Sequence, residues 1–208
     1  MRDVVIVFAR APRLGAVKRR LARGIGDRTA LRFHAATLHQ LLLNLTRQRR
    51  FRTIVALTPD RARMRLPAGI GRIGQGSGDL GQRMQHAFRH FPRARVALIG
   101  CDIPDIGATD LHAAFRSLGT ADAAFGPAQD GGYWLVAMTP RRPARPFWNV
   151  RWSSAHALAD TLANFPGYGT AMLRTLHDID TPEDYRRWQI KERFQRKSIA
   201  RASYSAAW

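Results

Sequence analysis

The stretch "VFARAPRLGAVKRRLA", residues 7–22, opens with an apolar run, passes Pro12 and Gly15, and leads into Lys18, Arg19, Arg20 and, just beyond, Arg23. A strand followed at once by a turn and a run of cations suits anion binding in an open α/β sheet. Ligands there lie beyond the carboxyl ends of the strands, and a helix starting near Ala16 would aim free N–H groups at them. Lys18 and an arginine would neutralise phosphate oxygens, the arginine by a two-pronged contact. The competing reading is a solvated basic helix. The spacing matches neither G-x-x-x-x-G-K-[ST] nor G-x-G-x-x-G.

Outward from this turn, short apolar runs read as buried strands: "VVIVFA" (4–9), "TIVALT" (53–58), "VALIG" (96–100) and "GYWLVAM" (132–138). Between them lie helical patterns. Asp27 is placed to cap a helix over 30–48, with Leu31, His34, Ala35, Leu38, Leu41, Leu42 and Leu45 at helical spacing. Asp79 is placed to cap a second carrying Leu80, Met84, Ala87, Phe88 and Phe91, and a third follows Thr109. In "DTPEDY", Thr181 is an N-cap, Pro182 the first helical residue, and Glu183 and Asp184 complement the dipole. Strands alternating with helices predict a three-layer α/β/α domain with a mostly parallel, Rossmann-like central sheet over residues 1–195. A basic, polar tail (196–208) follows, and "TPRRPARP" (139–146) reads as an exposed loop.

The chain has 208 residues, 34 Lys+Arg against 15 Asp+Glu, and a formal net charge of +19. Cations, mostly arginine, are scattered through every segment, so the charge reads as compositional and nucleic acid is not the expected partner. No apolar run is long enough to span a bilayer, and the N-terminus lacks a signal-peptide pattern. Cys101 is the only cysteine, which excludes an internal disulfide and fits a cytoplasmic protein.

Four further segments carry candidate chemistry. In "IGCDIPDI" (99–106) an acid, Asp102, follows a strand end, where a Mg²⁺ ligand is useful; Mg²⁺ takes one or two carboxylates plus substrate phosphates. Cys101 is expected to point away from such an ion, and Asp105 is the weaker acid. "QGSGDLGQRM" (75–84) is glycine-rich ahead of a helix, with Arg83 available to a phosphate or to solvent. In "GPAQDGGYWLVA" (126–137) Asp-Gly-Gly between apolar runs signals a hairpin, a plain turn that is also able to present Asp130 and the Gly131/Gly132 backbone to a substrate. In "LHDIDTPEDY" Asp178 and Asp180 flank Ile179, so on extended backbone both face one side and can complete a metal site with Asp102; His177 reads as structural.

Taken in order, "FARAPRLGAVKRRLA", "QGSGDLGQRM", "GCDIPDI", "GPAQDGGYWLVA", "WSS" (152–154) and "DIDTPEDY" resemble the uncharacterised glycosyltransferase-A-like family of the nucleotide-diphospho-sugar transferase superfamily, over residues 2–188. That superfamily also holds molybdenum-cofactor guanylyltransferase and 2-phospholactate guanylyltransferase. The resemblance implies a GT-A fold and a Mg²⁺- or Mn²⁺-dependent transferase, cytoplasmic, using a nucleoside triphosphate or nucleotide-sugar donor and a small-molecule acceptor. It implies a nucleotide site of Ala9, Arg10, Gly15, Lys18, Arg20, Gln75, Gly76, Asp79, Gly81 and Arg83. Lys18, Asp102 and Asp130 would be catalytic; Asp130, Gly131, Gly132 and Tyr133 would face the acceptor or sugar; Asp102, Asp178 and Asp180 would hold metal. Arg19 stands where the family often has Thr, which keeps open a non-catalytic nucleotide- or nucleic-acid-binding protein with a degenerate site. Hydrolysis with water as acceptor is a third reading.

Overall fold

The structure is a computed structural model that describes residues 2–205, with side chains described through residue 194. Its elements are β1 (Asp3–Arg10), α1 (Arg19–Ile25), α2 (Asp27–Thr46), β2 (Phe51–Thr58), β3 (Gly71–Gly74), α3 (Leu80–Arg89), β4 (Val96–Gly100), α4 (Ala108–Ser117), β5 (Ala123–Pro127), β6 (Tyr133–Met138), α5 (Ala157–Leu162), β7 (Thr170–Met172) and α6 (Pro182–Ser205). The strands form one sheet ordered β3-β2-β1-β4-β6-β5-β7. Only β6 runs against its neighbours. The Asp-Gly-Gly segment joins β5 to β6 as the hairpin its sequence signals.

The sheet is covered on both faces, as a period-2 run of buried residues on both sides requires. Val5 and Val7 of β1 point to the α2 and α4 layer with Leu38, Leu42 and Leu111. Val4 and Ile6 point to the α3 and α5 layer with Met84, Phe88, Phe125 and Phe165. The central strands β1 and β4 pair in parallel, with Phe8 opposite Gly100. The chain builds outward from β1 to β2 and β3, then crosses back to β4 on the other side of β1. This reversal opens a crevice beyond the carboxyl ends of β1 and β4.

A third, smaller cluster brings the distant "DIDTPED" segment to that crevice. Leu21 of α1, Ala30 and Phe33 of α2, and Ile179 are buried together, with Tyr185 and Trp188 of α6 against them. Phe33 meets the rings of Tyr185 and Trp188 edge-on at 5.2 and 5.0 Å. The start of α6 approaches α1 so closely that a Cβ on Gly24 would lie 2.2 Å from Cγ of Pro182.

Several local expectations change. The helix after the first turn begins at Arg19, not near Ala16, with Lys18 as its left-handed N-cap. Asp27 is inside α2, whose cap is Gly26. Thr109 is inside α4, and Asp110 rather than Thr109 ties its start by accepting from the N–H of Gly107 at 2.8 Å. The basic loop at 139–146 is partly anchored: Arg142 donates to the Phe88 and Phe91 carbonyls and covers the Phe88 ring. The boundary expected at 196 falls inside α6, while residues 206–208 of the tail lie outside the described residues. No helix among the described residues is long and apolar enough to cross a membrane.

The Gly24–Pro182 approach has a direct consequence. Gly24→Ala should destabilise the fold by about 1–3 kcal/mol through overpacking, read as a fall of several degrees in Tm. Gly100→Ala, where an added Cβ meets nothing within 4 Å, should leave Tm nearly unchanged.

Candidate active site

Lys18 stands in the left-handed region (φ 49°, ψ 46°), a conformation disfavoured for a residue with a Cβ by about 1–2 kcal/mol. This turn carries its side chain inward, where only 4% of it is exposed. The ammonium lies 3.1 Å from Oδ1 of Asp102 and 2.7 Å from Oδ1 of Asp180. One cation thus bridges acids from after β4 and before α6. Ile179 is buried between Asp178 and Asp180, so both carboxylates turn toward the crevice as the alternation requires.

Charge sets the protonation states. Burial works against the Lys18 ammonium, but Asp102 and Asp180 overcome it and raise its pKa. Burial likewise works against the Asp102 carboxylate, but His34 and Lys18 prevail and hold its pKa at about 2. Asp102 is therefore ionised throughout the physiological range, with 49% of its side chain open to the crevice. Asp178 behaves oppositely: burial first, then the negative charges of Asp180 and Asp130, raise its pKa.

His34 belongs to this site, although its sequence position placed it only on the apolar stripe of α2. Its Nε2 donates to the Arg10 carbonyl at 2.9 Å. Its Nδ1 faces Oδ1 of Asp102 at 3.6 Å, buried and without a hydrogen-bond partner among the described residues. Cys101 does not point clear of the acids, since its sulfur lies within 4.8 Å of the ligand atoms of His34 and Asp102. Burial pushes its thiol pKa well up, so it stays protonated. Among the described residues, Asp102, Asp178 and Asp180 do not converge into one three-ligand cage. Lys18 holds Asp102 and Asp180 instead. Two hard carboxylates on an open crevice still suit a Mg²⁺ or Mn²⁺ ion that takes its remaining ligands from substrate and water.

Two hollows meet at Asp102 and Asp180. The smaller, about 300 Å³, is cationic and includes Arg10, Lys18, Arg19 and Arg20. The larger, about 400 Å³, has an apolar wall and includes Asp130, Asp178, Gly132 and Tyr133. Gly15, in the loop between β1 and α1, has a left-handed φ of 71° that a larger residue would strain.

The remaining candidates line neither hollow. Ala9 is buried in the core. The Gln75 amide donates to the carbonyls of Ala9 and Ala56 and accepts from Arg83, tying β1 to β2. The Gln75 and Gly76 N–H groups are taken by Asp60, a residue with no sequence signal of its own. Asp79 and Gln82 form a reciprocal capping box on α3. Gly81 exists for packing, since a Cβ there would lie 2.8 Å from the Trp152 ring. The "QGSGDLGQRM" segment therefore braces the sheet through Gln75 and Arg83 and puts Leu80 and Met84 into the wall of the larger hollow. Gly131 has a similar role: φ is 84° and a Cβ would lie 2.3 Å from the Ala155 carbonyl. His177 is structural as expected, paired with Asp184 at 2.9 Å.

Residues 38–154 match the family described as "Uncharacterized protein conserved in bacteria (DUF2064)". The chain belongs to this family. No curated protein sequence matches it. Among solved structures it is similar to a protein from Desulfovibrio desulfuricans G20, provisionally described as a nucleotide-diphospho-sugar transferase. The identity is 28%, the alignment covers 87% of this chain and 84% of that one, and the TM-score is 0.80. The DUF2064 chain also shares its fold with Rv0371c of Mycobacterium tuberculosis H37Rv, solved with manganese (20% identity, 89% and 97% covered, TM-score 0.52). A third is 4-diphosphocytidyl-2C-methyl-D-erythritol synthase of Anaerococcus prevotii (11% identity, 88% and 94% covered, TM-score 0.58). The α/β fold is that of this superfamily, as the first-strand turn and the closing acids imply.

The crowding of acids gives a pH-dependent test. Because the folded pKa of Asp178 is raised, stability is intact below the ordinary carboxylate range and is lost as pH rises through the folded value. Asp178→Asn should therefore raise Tm at pH 7, by about 1–3 °C, and the gain should disappear below about pH 4. Thermal melts across pH 3–8 measure it.

Proposed function

We propose that this DUF2064 protein is a cytoplasmic, divalent-metal-dependent transferase that takes a nucleoside triphosphate or a nucleotide-sugar as donor and a small molecule as acceptor. The observation that carries this reading is the Lys18 ammonium between Asp102 and Asp180, at the point where a cationic hollow meets an apolar one. The names of the Desulfovibrio and Anaerococcus neighbours favour nucleotide-dependent transfer. The manganese complex of the mycobacterial neighbour favours a divalent ion in this fold.

The residues divide the work. Arg10, Lys18 and Arg20 border the smaller hollow and neutralise the donor's phosphates there. Lys18 has two roles in sequence: it holds Asp102 and Asp180 together, then turns to phosphate oxygens when the donor enters. Asp102, ionised at any working pH, and Asp180 would hold the ion, with Asp178 beside them. When bound, the ion supplies positive charge against the phosphate oxygens on which charge develops. Lys18, once on the phosphates, adds its own positive charge to those oxygens. Asp130, exposed on the far rim beside the β5–β6 turn, faces the acceptor.

Thermal-shift titration with nucleoside triphosphates and nucleotide-sugars, each with Mn²⁺ or Mg²⁺, tests the proposal. A donor at about a hundred times its Kd should stabilise the protein by about 2.7 kcal/mol. The shift should disappear in Lys18→Met and lose its metal dependence in Asp102→Asn. A shift unchanged by both substitutions would exclude this site. Metal-independent binding that improves in Asp102→Ala would instead favour a non-catalytic phosphate binder.

A further inference from the structure

The two hollows of the crevice differ in charge as well as in shape. Among the described residues, the lysine and arginines of the crevice border the smaller one: Arg10, Lys18, Arg19 and Arg20. Among the described residues, no lysine or arginine lines the larger hollow. Its wall is Phe8, Leu80, Met84, Tyr133 and Trp152, and four carboxylates stand on its rim: Asp102, Asp130, Asp178 and Asp180. Tyr133 and Trp152 are part-exposed and meet at 6.3 Å and 70°, an aromatic corner open to the hollow.

Charge decides what can enter. The four carboxylates and the Lys18 ammonium leave a formal −3, and a divalent ion on Asp102 still leaves −1. A phosphate monoester brings roughly two further negative charges at neutral pH. It would have to give up water against an apolar wall that offers no guanidinium or ammonium, which is strongly unfavourable. An uncharged hydroxyl compound meets no such penalty. Its apolar face stacks on the aromatic corner while its hydroxyl groups turn to the acidic rim.

We infer that the acceptor is an uncharged, hydroxyl-bearing molecule with a ring or apolar body, such as a sugar or an aryl alcohol, and that the protein transfers to a hydroxyl rather than to a phosphate. This rests on the transferase reading above. In the transfer, the acceptor oxygen bonds to the donor's electrophilic atom, the α-phosphorus of a triphosphate or the anomeric carbon of a nucleotide-sugar. The bond from that atom to the departing pyrophosphate or nucleoside diphosphate breaks, with its electron pair on the leaving group. The hydroxyl proton passes to the carboxylate of Asp130.

Calorimetric titration of the full chain with two matched probes, phenyl β-D-glucopyranoside and phenyl phosphate, tests the inference apart from donor binding. The glucoside should bind at millimolar concentrations or below. Phenyl phosphate should fail to displace it at tenfold excess. Trp152→Ala should weaken glucoside binding at least fivefold, and Leu80→Lys, which puts a cation on the wall, should let phenyl phosphate compete. Displacement at equal concentration, no glucoside binding, or glucoside binding indifferent to Trp152 would each overturn the inference. Loss of the Lys18-dependent nucleotide shift with probe discrimination intact would instead overturn the transferase reading and leave a neutral-ligand pocket.

Discussion

A primary ammonium with almost none of its side chain in water has to be neutralised where it lies, because a buried unpaired charge is far more costly than a buried pair. Lys18 meets that requirement with Asp102 and Asp180, residues more than eighty and more than one hundred and sixty positions away. Much of the remaining architecture serves this meeting. The left-handed turn at Lys18 directs the chain inward. The cluster of Leu21, Phe33 and Ile179 docks α6 on α1 and α2. Gly24 admits Pro182, and Asp184 accepts from Thr181 at the start of α6. Loosening any of these moves Asp180 relative to the cation.

The same pair divides the crevice. Cations gather on the side of the first-strand turn, and acids gather on the side of the β5–β6 hairpin, with Asp102 and Asp180 bordering both. In the proposed reading, a donor rich in phosphate is drawn to one side, while the other receives a molecule without charge. Behind this surface the structure is stiff. Gln75 bonds across β1 and β2, Arg83 holds Gln75, and Asp60 holds the following backbone. Preorganisation of this kind is what electrostatic stabilisation of a transfer requires.

Much of this was legible in the chain. The apolar runs at 4–9, 53–58 and 96–100 marked the central strands, and the Thr181-Pro182 cap marked α6, because burial on both faces and capping are local signals. Alternation around Ile179 foretold that both acids share a side. The short edge strands β3 and β7 were not legible: "GRIG" and "TAM" have no pattern of their own and are strands only because a neighbour pairs with them. His34 was visible as a polar ring on an apolar helical stripe, yet only the fold brings Asp102 to it. Gln75, Gly81 and Gly131 also hold the fold together, which a glycine or a lone amide in the sequence does not announce: Gln75 bonds to the Ala9 carbonyl, and neither glycine leaves room for a Cβ. Asp60 had no signal, since a lone acid after a strand says nothing of the backbone it will cap.

The central claim is that Lys18 exchanges its carboxylates for donor phosphates when a divalent ion takes Asp102. Anomalous diffraction from crystals grown with Mn²⁺ and a non-hydrolysable nucleoside triphosphate tests this directly. A manganese peak is expected on the Asp102 carboxylate, with the Lys18 ammonium on phosphate oxygens. A nucleotide bound elsewhere, with Lys18 still bridging Asp102 and Asp180, would contradict it.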